Sequence, residues 1–184
     1  MNVLFHHHPL SGGRGILTWL QSRVPIYWQK RKPRGSLQGA RVIGGHEVSR
    51  EHVRLAGWGA CYAFTVLRNP EERIPSLYAW KVRRWHRRPV DPLPPTFEQW
   101  IQAQPANPML SFLETCVPGT RVYALGEILE VVEELGRRLS VPTSSYRPIG
   151  VTGAGAGASE RQRARVRRFH AADCALWADL PEKT

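Results

Sequence analysis

The sequence has few cysteines, few acidic residues and no long apolar run. Its three cysteines, Cys61, Cys116 and Cys174, lie far apart and form no CxxC pair. This excludes a disulfide framework and the usual cysteine-based zinc site, and it favours a reducing compartment. No stretch of the 184 residues has the length and apolarity of a membrane span, and no apolar leader follows Met1. We therefore expect a cytoplasmic protein without a membrane span.

Acidic side chains are outnumbered by basic ones. The chain has 26 Lys and Arg residues against 15 Asp and Glu, which gives a formal net charge of +11. Such a charge attracts nucleic acid, acidic lipids, nucleotide phosphates or polyanionic sugars, and composition alone does not choose among them. The length and the 42% share of hydrophobic residues suit a single globular domain, which we predict for residues 1–184.

Short apolar segments alternate with helical patterns along the chain. Strands are predicted at residues 3–5, 41–43, 60–67 and 121–124, and later helices at 49–55, 70–85, 96–104, 109–116, 128–139 and 159–177. Residues 25–39, which contain a run of Lys and Arg, are predicted to form an exposed basic loop. This alternation favours an α/β fold with a mainly parallel sheet and helices on both faces. In such folds ligands bind beyond the carboxyl ends of the strands.

A glycine-rich segment follows the first predicted strand and precedes a helical pattern. It consists of Ser11, Gly12, Gly13, Arg14 and Gly15. Small residues at such a turn let consecutive backbone amides converge on an anion at a helix N-terminus. The segment lacks the Gly-Lys-Ser/Thr of nucleotide hydrolases, which argues against that chemistry. A plain connection between strand and helix is the alternative interpretation.

The segment after residue 67 combines helix-start signals with anion-binding side chains. Asn69 suits the N-cap, and Pro70 suits the first helical position. Guanidinium and hydroxyl groups then recur at a spacing that lets them converge on one phosphate. These residues are Arg68, Arg73, Ser76 and Tyr78. The alternative is that the arginines only form surface ion pairs with Glu71 and Glu72.

This second segment resembles the 3′-phosphate-binding segment of the sulfotransferases, which reads Arg-Asp/Asn-Pro, then Arg, Ser and Tyr. The first segment is similar to the 5′-phosphosulfate loop of carbohydrate sulfotransferases, His-x-Pro-Lys-Thr-Gly-Gly-Thr-Ser. A Gly-His pair between the two and the late residues 173–177 extend the resemblance over most of the chain. The resemblance implies a P-loop NTPase-like α/β architecture that binds 3′-phosphoadenosine 5′-phosphosulfate (PAPS) or its product 3′-phosphoadenosine 5′-phosphate (PAP).

The resemblance also implies a role for each site residue. The residues implied to bind the nucleotide are Ser11, Gly12, Gly13, Arg14 and Gly15 in the first segment and Arg68, Arg73 and Ser76 in the second. His46 takes the place of the catalytic base, with Glu47 in reserve, because a histidine is suited to proton transfer near neutral pH. No metal is implied, and His6, His7 and His8 are adjacent and lack the spacing of a metal site.

One position departs from the family pattern. Leu10 stands where the family has a lysine, whose charge faces the leaving phosphate. Arg14, four residues further along the same turn, is the candidate that restores this charge, and it is therefore also assigned a catalytic role. Its planar guanidinium would not reproduce the point contact of an ammonium group.

The leading hypothesis is an enzyme that transfers a sulfuryl group from PAPS to a hydroxyl on a carbohydrate. Basic residues at 30–34 and at 81–88 are candidates for a track along an anionic acceptor, whereas the arginines of the last helix are interpreted as a solvated basic face. Two alternatives stay open. One is a nucleotide-binding homologue that has lost turnover, and the other is a basic nucleic-acid-binding module, which the charge does not exclude.

Overall fold

A computed structural model of the protein describes residues 1–29, 37, 39–46, 50–87, 95–148 and 157–180. The strands in these ranges are β1 (Val3–His6), β2 (Ile26–Gln29), β3 (Val42–Gly45), β4 (Tyr62–Leu67) and β5 (Arg121–Ala124). The helices are α1 (Gly13–Gln21), α2 (Arg50–Leu55), α3 (Pro70–Arg87), α4 (Phe97–Gln102), α5 (Pro108–Thr115), α6 (Ile128–Leu139), α7 (Glu160–Phe169) and α8 (Ala171–Ala178). None of these described helices is long and apolar enough to cross a membrane.

The five described strands form one sheet in the order β2-β3-β1-β4-β5. All four pairings are parallel, and Val3 in the central strand pairs with Val42 on one side and Tyr62 on the other. Every residue of β1 and β4 is buried, as expected for strands covered on both faces. The predicted α/β class with a mainly parallel sheet is confirmed.

The chain divides into two compact units. The first comprises Met1–Leu67 and Phe112–Thr152, and it contains the whole sheet. The second comprises Arg68–Ser111 and Gly153–Thr184, and it contains α3, α4, α7 and α8. The expectation of one domain over residues 1–184 stays a prediction.

In the first unit, neighbouring residues of a strand enter different cores. Phe5 belongs to a cluster with residues of α1 and α6, and its ring stacks on Phe64 at a centroid distance of 4.6 Å. Leu4 belongs to a separate cluster with Ile43 and Ala63, against which residues of α2 pack. Successive side chains of a strand point to opposite faces, so these clusters cover the two sides of the sheet.

In the second unit, helices pack around a small core of their own. Ile74 of α3, Trp100 and Ile101 of α4, and Val166 of α7 are at most 6% exposed. Helix α7 begins at a capping box, in which the Ser159 hydroxyl accepts the Gln162 amide at 3.2 Å.

Three predicted elements need correction. Residues 26–29 form strand β2, although the sequence predicted a basic loop at 25–39, because the strongly basic run that follows masked a short strand signal. The predicted last helix is two helices, α7 and α8, separated by His170. Helix α3 begins at Pro70 as predicted but extends to Arg87, beyond the predicted end at residue 85, and it contains Pro75. Residues 30–36 of the predicted basic loop lie outside the described residues.

Candidate functional site

Two of the predicted site segments leave the sheet at the same edge. His6, the last residue of β1, pairs with Gly45 at the end of β3 and with Thr65 in β4. Because the strands are parallel, the carboxyl ends of β1 and β3 lie side by side. The turn that begins at His7 and the turn that begins at His46 are therefore neighbours. The first unit thus brings the glycine-rich segment close to the predicted base.

The glycine-rich segment forms a tight turn into α1. Leu10 and Gly12 both have left-handed backbone conformations, with φ of 62° and 77°. Helix α1 begins at Gly13 with no side-chain cap and no acidic residue in its first turn, and Gly15 N–H donates to the Gly12 carbonyl at 3.0 Å. The first amides of a helix have no acceptor within it, and they carry the positive end of the helix dipole. This geometry suits an anion.

Ser11 supports the turn with its side chain. Its hydroxyl lies 3.4 Å from His8 Nδ1, and both residues are almost fully buried. The His8 ring in turn lies 4.7 Å from the ring of Phe112 in α5. The Ser11 side chain therefore lies beneath the turn.

The predicted base His46 is exposed and has a defined orientation. Its Nδ1 lies 2.7 Å from the backbone carbonyl oxygen of His7. A carbonyl can only accept, so Nδ1 carries the hydrogen, and in the neutral ring Nε2 presents a lone pair. No described residue bonds to Nε2. His46 is thus arranged to accept a proton through Nε2.

The ring of His7 packs between His46 and the start of α1. Its centroid lies 4.6 Å from that of His46. Burial lowers the pKa of His7 to about 3, with further lowering from the charges of His46 and Arg14. The ring is therefore neutral at physiological pH. A Cβ on Gly13 would lie 2.1 Å from His7 Cδ2, so glycine is required there to admit the ring.

Trp28 of β2 is an aromatic neighbour of the base. Its ring lies 5.3 Å from that of His7 and 6.3 Å from that of His46. A Cβ on Gly44 would lie 2.6 Å from the indole, so this glycine admits Trp28. Trp28 lies beside the base because β2 pairs with β3, and strand β2 was not predicted from the sequence.

Two candidates of the first unit remain, Arg14 and Glu47. Arg14 is the second residue of α1 and is exposed, and no described residue forms a hydrogen bond or ion pair with it. Its guanidinium is therefore available to a ligand. The reserve base Glu47 lies outside the described residues.

In the second unit, the start of α3 follows the predicted pattern in part. Asn69 Oδ1 accepts the Glu71 amide at 2.9 Å, which confirms the predicted N-cap. Arg68 Nε donates to Glu72 at 3.3 Å, so the surface ion pair proposed as the alternative is present for this arginine. Glu71 instead pairs with Arg167 of α7 at 2.6 Å.

Arg73 does not form a surface ion pair. It is 3% exposed, and neither its Nε nor its Nη2 has a hydrogen-bond partner within the described ranges. Burial lowers its pKa to about 10, while Asp173 acts in the opposite direction and Arg68 in the same one. The group remains charged at neutral pH. Each buried donor left unpaired costs about 1–3 kcal/mol, which an anion could recover.

The surroundings of Arg73 come from distant parts of the chain. Asp173 is fully buried and accepts the backbone amides of Met109 and Leu110 at 2.8 and 2.9 Å, at the start of α5. His170 is 1% exposed with both ring nitrogens unpaired among the described residues, and burial lowers its pKa. Residues 173–177 entered the sequence analysis only as part of the resemblance, and no local signal indicated that His170 and Asp173 are both buried.

The two remaining hydroxyl residues of this segment behave differently. Tyr78 is half-buried, and its hydroxyl donates to the Pro95 carbonyl at 2.8 Å. Ser76 is also half-buried, but its hydroxyl bonds to no described residue. Of the two, the structure therefore leaves the Ser76 hydroxyl for a ligand and uses the Tyr78 hydroxyl internally.

No protein-family model matches the chain, and no curated protein matches its sequence. Among solved structures it is similar to a sulfotransferase from Alicyclobacillus acidocaldarius, with a TM-score of 0.53 and 15% identity over 95% of this chain and 93% of that one. It is also similar to the mouse sulfotransferase SULT7A1 complexed with PAP, with a TM-score of 0.46 and 15% identity over 94% of this chain and 65% of that one. The first likeness extends over nearly the full length of both chains, and it shows that this protein has the α/β fold of a sulfotransferase.

Proposed function

We propose that this protein transfers a sulfuryl group from PAPS to a hydroxyl acceptor. The observation that carries the proposal is the 2.7 Å contact between His46 Nδ1 and the His7 carbonyl, because it leaves Nε2 of an exposed histidine ready to accept a proton. This base lies beside a helix N-terminus suited to an anion. A fold shared with sulfotransferases agrees with this chemistry but does not establish it.

The residues of the first unit fit the 5′ end of the donor. The uncapped first turn of α1 offers backbone amides, and its first turn has no carboxylate that would repel an anion. Arg14 adds a cation with no described partner. The nucleotide-binding assignment of Ser11, Gly12, Gly13 and Gly15 rests on this backbone geometry.

The residues of the second unit fit the 3′-phosphate. Arg73 carries two buried N–H donors without partners, and Ser76 has a hydroxyl without a described partner. The charge of Arg68 also acts on Arg73 and lowers its pKa, although Asp173 acts on it more strongly in the opposite direction. An anion would accept hydrogen bonds from the unpaired donors of Arg73 and from the Ser76 hydroxyl.

In the proposed reaction, His46 Nε2 takes the proton of the acceptor hydroxyl while its oxygen forms a bond to sulfur. The bond from sulfur to the bridging phosphate oxygen breaks, and its electron pair stays on that oxygen. The first amides of α1 and the Arg14 guanidinium face the negative charge that grows there. PAPS supplies the activated sulfuryl group, and PAP leaves.

A carbohydrate with anionic groups is the proposed acceptor class. The net charge of +11 favours an anionic molecule. Trp28 is half-buried beside the base, and an indole suits packing against the apolar face of a sugar ring.

Two measurements test the proposal together. Transfer of ³⁵S from labelled PAPS to a panel of neutral and anionic saccharides should give a labelled product with at least one acceptor, and calorimetry should detect binding of PAP. Binding without transfer to any acceptor would favour the nucleotide-binding homologue. If PAP does not bind, and DNA binds with a steep salt dependence that the nucleotide leaves unchanged, the nucleic-acid-binding alternative replaces the enzyme.

A further inference from the structure

The ring of His7 contacts both His46 and the start of α1, and the proposed reaction gives it no role. Its ring packs against His46 on one side, at 4.6 Å. On the other side its Cδ2–Nε2 edge faces Gly13, since a Cβ there would lie 2.1 Å from Cδ2 and 2.5 Å from Nε2. Gly13 is the first residue of α1, where the anion is proposed to bind.

The two ring nitrogens of His7 lie in different surroundings. Nδ1 is buried and has no hydrogen-bond partner among the described residues. A neutral imidazole carries one hydrogen, and a buried N–H without an acceptor is rarer than a buried acceptor without a donor. The hydrogen therefore belongs on Nε2. This places an N–H donor on the ring edge that faces the start of α1.

The same surroundings keep this donor neutral. The positive charges of Arg14 and of a protonated His46 act against a second charge on His7, and burial acts in the same direction. A neutral donor does not compete with His46 for the acceptor's proton. It also keeps its own hydrogen throughout the reaction, so that His7 can stabilise charge without changing protonation state.

We propose that His7 is a further catalytic residue, whose Nε2–H donates a hydrogen bond to the phosphate oxygen that leaves sulfur. This inference rests on the proposed sulfuryl transfer. Leu10 has no side-chain donor at the position where the family pattern has a lysine. In this proposal the leaving oxygen accepts a hydrogen bond from the neutral His7 ring instead of from an ammonium group. The bond strengthens as negative charge grows on that oxygen, so its effect belongs to the transition state.

Two substitutions separate this role from a packing role. His7→Phe keeps a ring between Gly13 and His46 but removes the donor, whereas His7→Gln keeps an N–H donor but removes the ring. We expect kcat to fall by about 100-fold in His7→Phe, the usual loss for one such donor, and to fall less in His7→Gln. PAPS affinity should stay within about threefold of the wild-type value in both, because the bridging oxygen carries little charge until the bond to sulfur begins to break.

The opposite order, with His7→Phe more active than His7→Gln, would show that the ring only supports the site and would overturn the proposal. The matched pair Glu130→Phe and Glu130→Gln, at an exposed position of α6, should leave kcat unchanged. If wild-type protein neither binds PAP nor transfers sulfate, the proposed function fails and this inference fails with it. If wild-type protein is active and His7→Phe matches it, only the inference fails.

A measurement on the wild-type protein covers the case in which a variant does not fold. Nitrogen NMR of protein labelled with ¹⁵N-histidine should show His7 as a neutral ring with its hydrogen on Nε2 at pH 6. Saturation with PAP should shift the Nε2–H proton signal downfield. A hydrogen on Nδ1, a protonated ring at pH 6 or an unchanged signal with PAP bound would each contradict the assignment.

Discussion

His46 Nδ1 lies 2.7 Å from the backbone carbonyl oxygen of His7, so the turn after β1 sets the tautomer of the base that follows β3. The contact joins residues 39 positions apart in sequence. It depends on the parallel pairing of β1 with β3, which places the ends of both strands at one edge of the sheet. The same turn therefore both starts the anion-binding helix and orients the base.

Replacement of the base should separate chemistry from binding. We expect His46→Ala to lower kcat by about 100-fold or more, since a general base contributes 10²–10⁴-fold. PAP affinity should be unchanged, because no nucleotide contact is assigned to this ring. Single-turnover transfer and calorimetry on the same preparation provide the check. Full activity in this variant would move the base elsewhere.

The proposed 3′-phosphate contacts can be tested with a matched control. Arg68→Ala and Ser76→Ala should each weaken PAP binding by about 1.5–3 kcal/mol, the value of a charge-assisted hydrogen bond. Glu72→Gln removes the ion pair of Arg68 but keeps the arginine, so its PAP affinity should be equal to or above that of the wild type. Calorimetry with PAP and with adenosine 5′-phosphate gives the selectivity. Equal affinity for the two nucleotides would contradict this assignment.

The role of Arg14 predicts a loss confined to turnover. Arg14→Ala should abolish measurable transfer while PAP binding stays largely intact, because the charge is needed most in the transition state. Leu10→Lys, which restores the cation of the family pattern, should raise kcat or leave it unchanged. Turnover that is unaffected by both substitutions would remove the cation from the proposed mechanism.

A methyl group at Gly13 should be costly for stability. Its Cβ would lie 2.1 Å from His7 Cδ2 and 2.8 Å from Phe5 Cζ, and both rings are packed. We expect Gly13→Ala to lower the free energy of unfolding by about 1–3 kcal/mol, the usual cost of overpacking. Gly59→Ala is the control, because a Cβ there meets nothing within 4 Å among the described atoms. Urea unfolding of both variants gives the comparison.

Two histidines should make the fold sensitive to mild acid. Burial lowers the pKa of His6 to about 4, and the charge of His52 lowers it further. Burial lowers the pKa of His7 to about 3. The unfolded chain binds protons near pH 6.5 and the folded chain does not, so stability is complete above pH 6.5 and falls as the pH drops towards 4. Each histidine contributes at most about 1.4 kcal/mol per pH unit. Urea midpoints that stay constant from pH 7 to pH 5 would refute this.

Local sequence determined much of the secondary structure. The helix predicted at residues 128–139 and the strand predicted at 121–124 have the same bounds in the structure, because hydrophobic periodicity and β-branched content are local signals. The N-cap at Asn69 was also predicted correctly, since a cap needs only the residues of one helical turn. Strand β2 was missed because its signal is four residues long and a basic run follows it.

The resemblance in sequence predicted the fold and named the candidate residues, but their environments were decided by the tertiary structure. Arg73 was indistinguishable from Arg68 in the sequence, and only the packing of α3 in the second unit leaves one buried with unpaired donors and the other paired with Glu72. The register between β1 and β3 likewise decides the surroundings of His7. It sets the packing of the His7 ring against Gly13 and the hydrogen bond that His46 donates to the His7 carbonyl. Burial and strand register bring together residues that are distant in the chain, and those are the quantities that set the pKa and tautomer of a side chain.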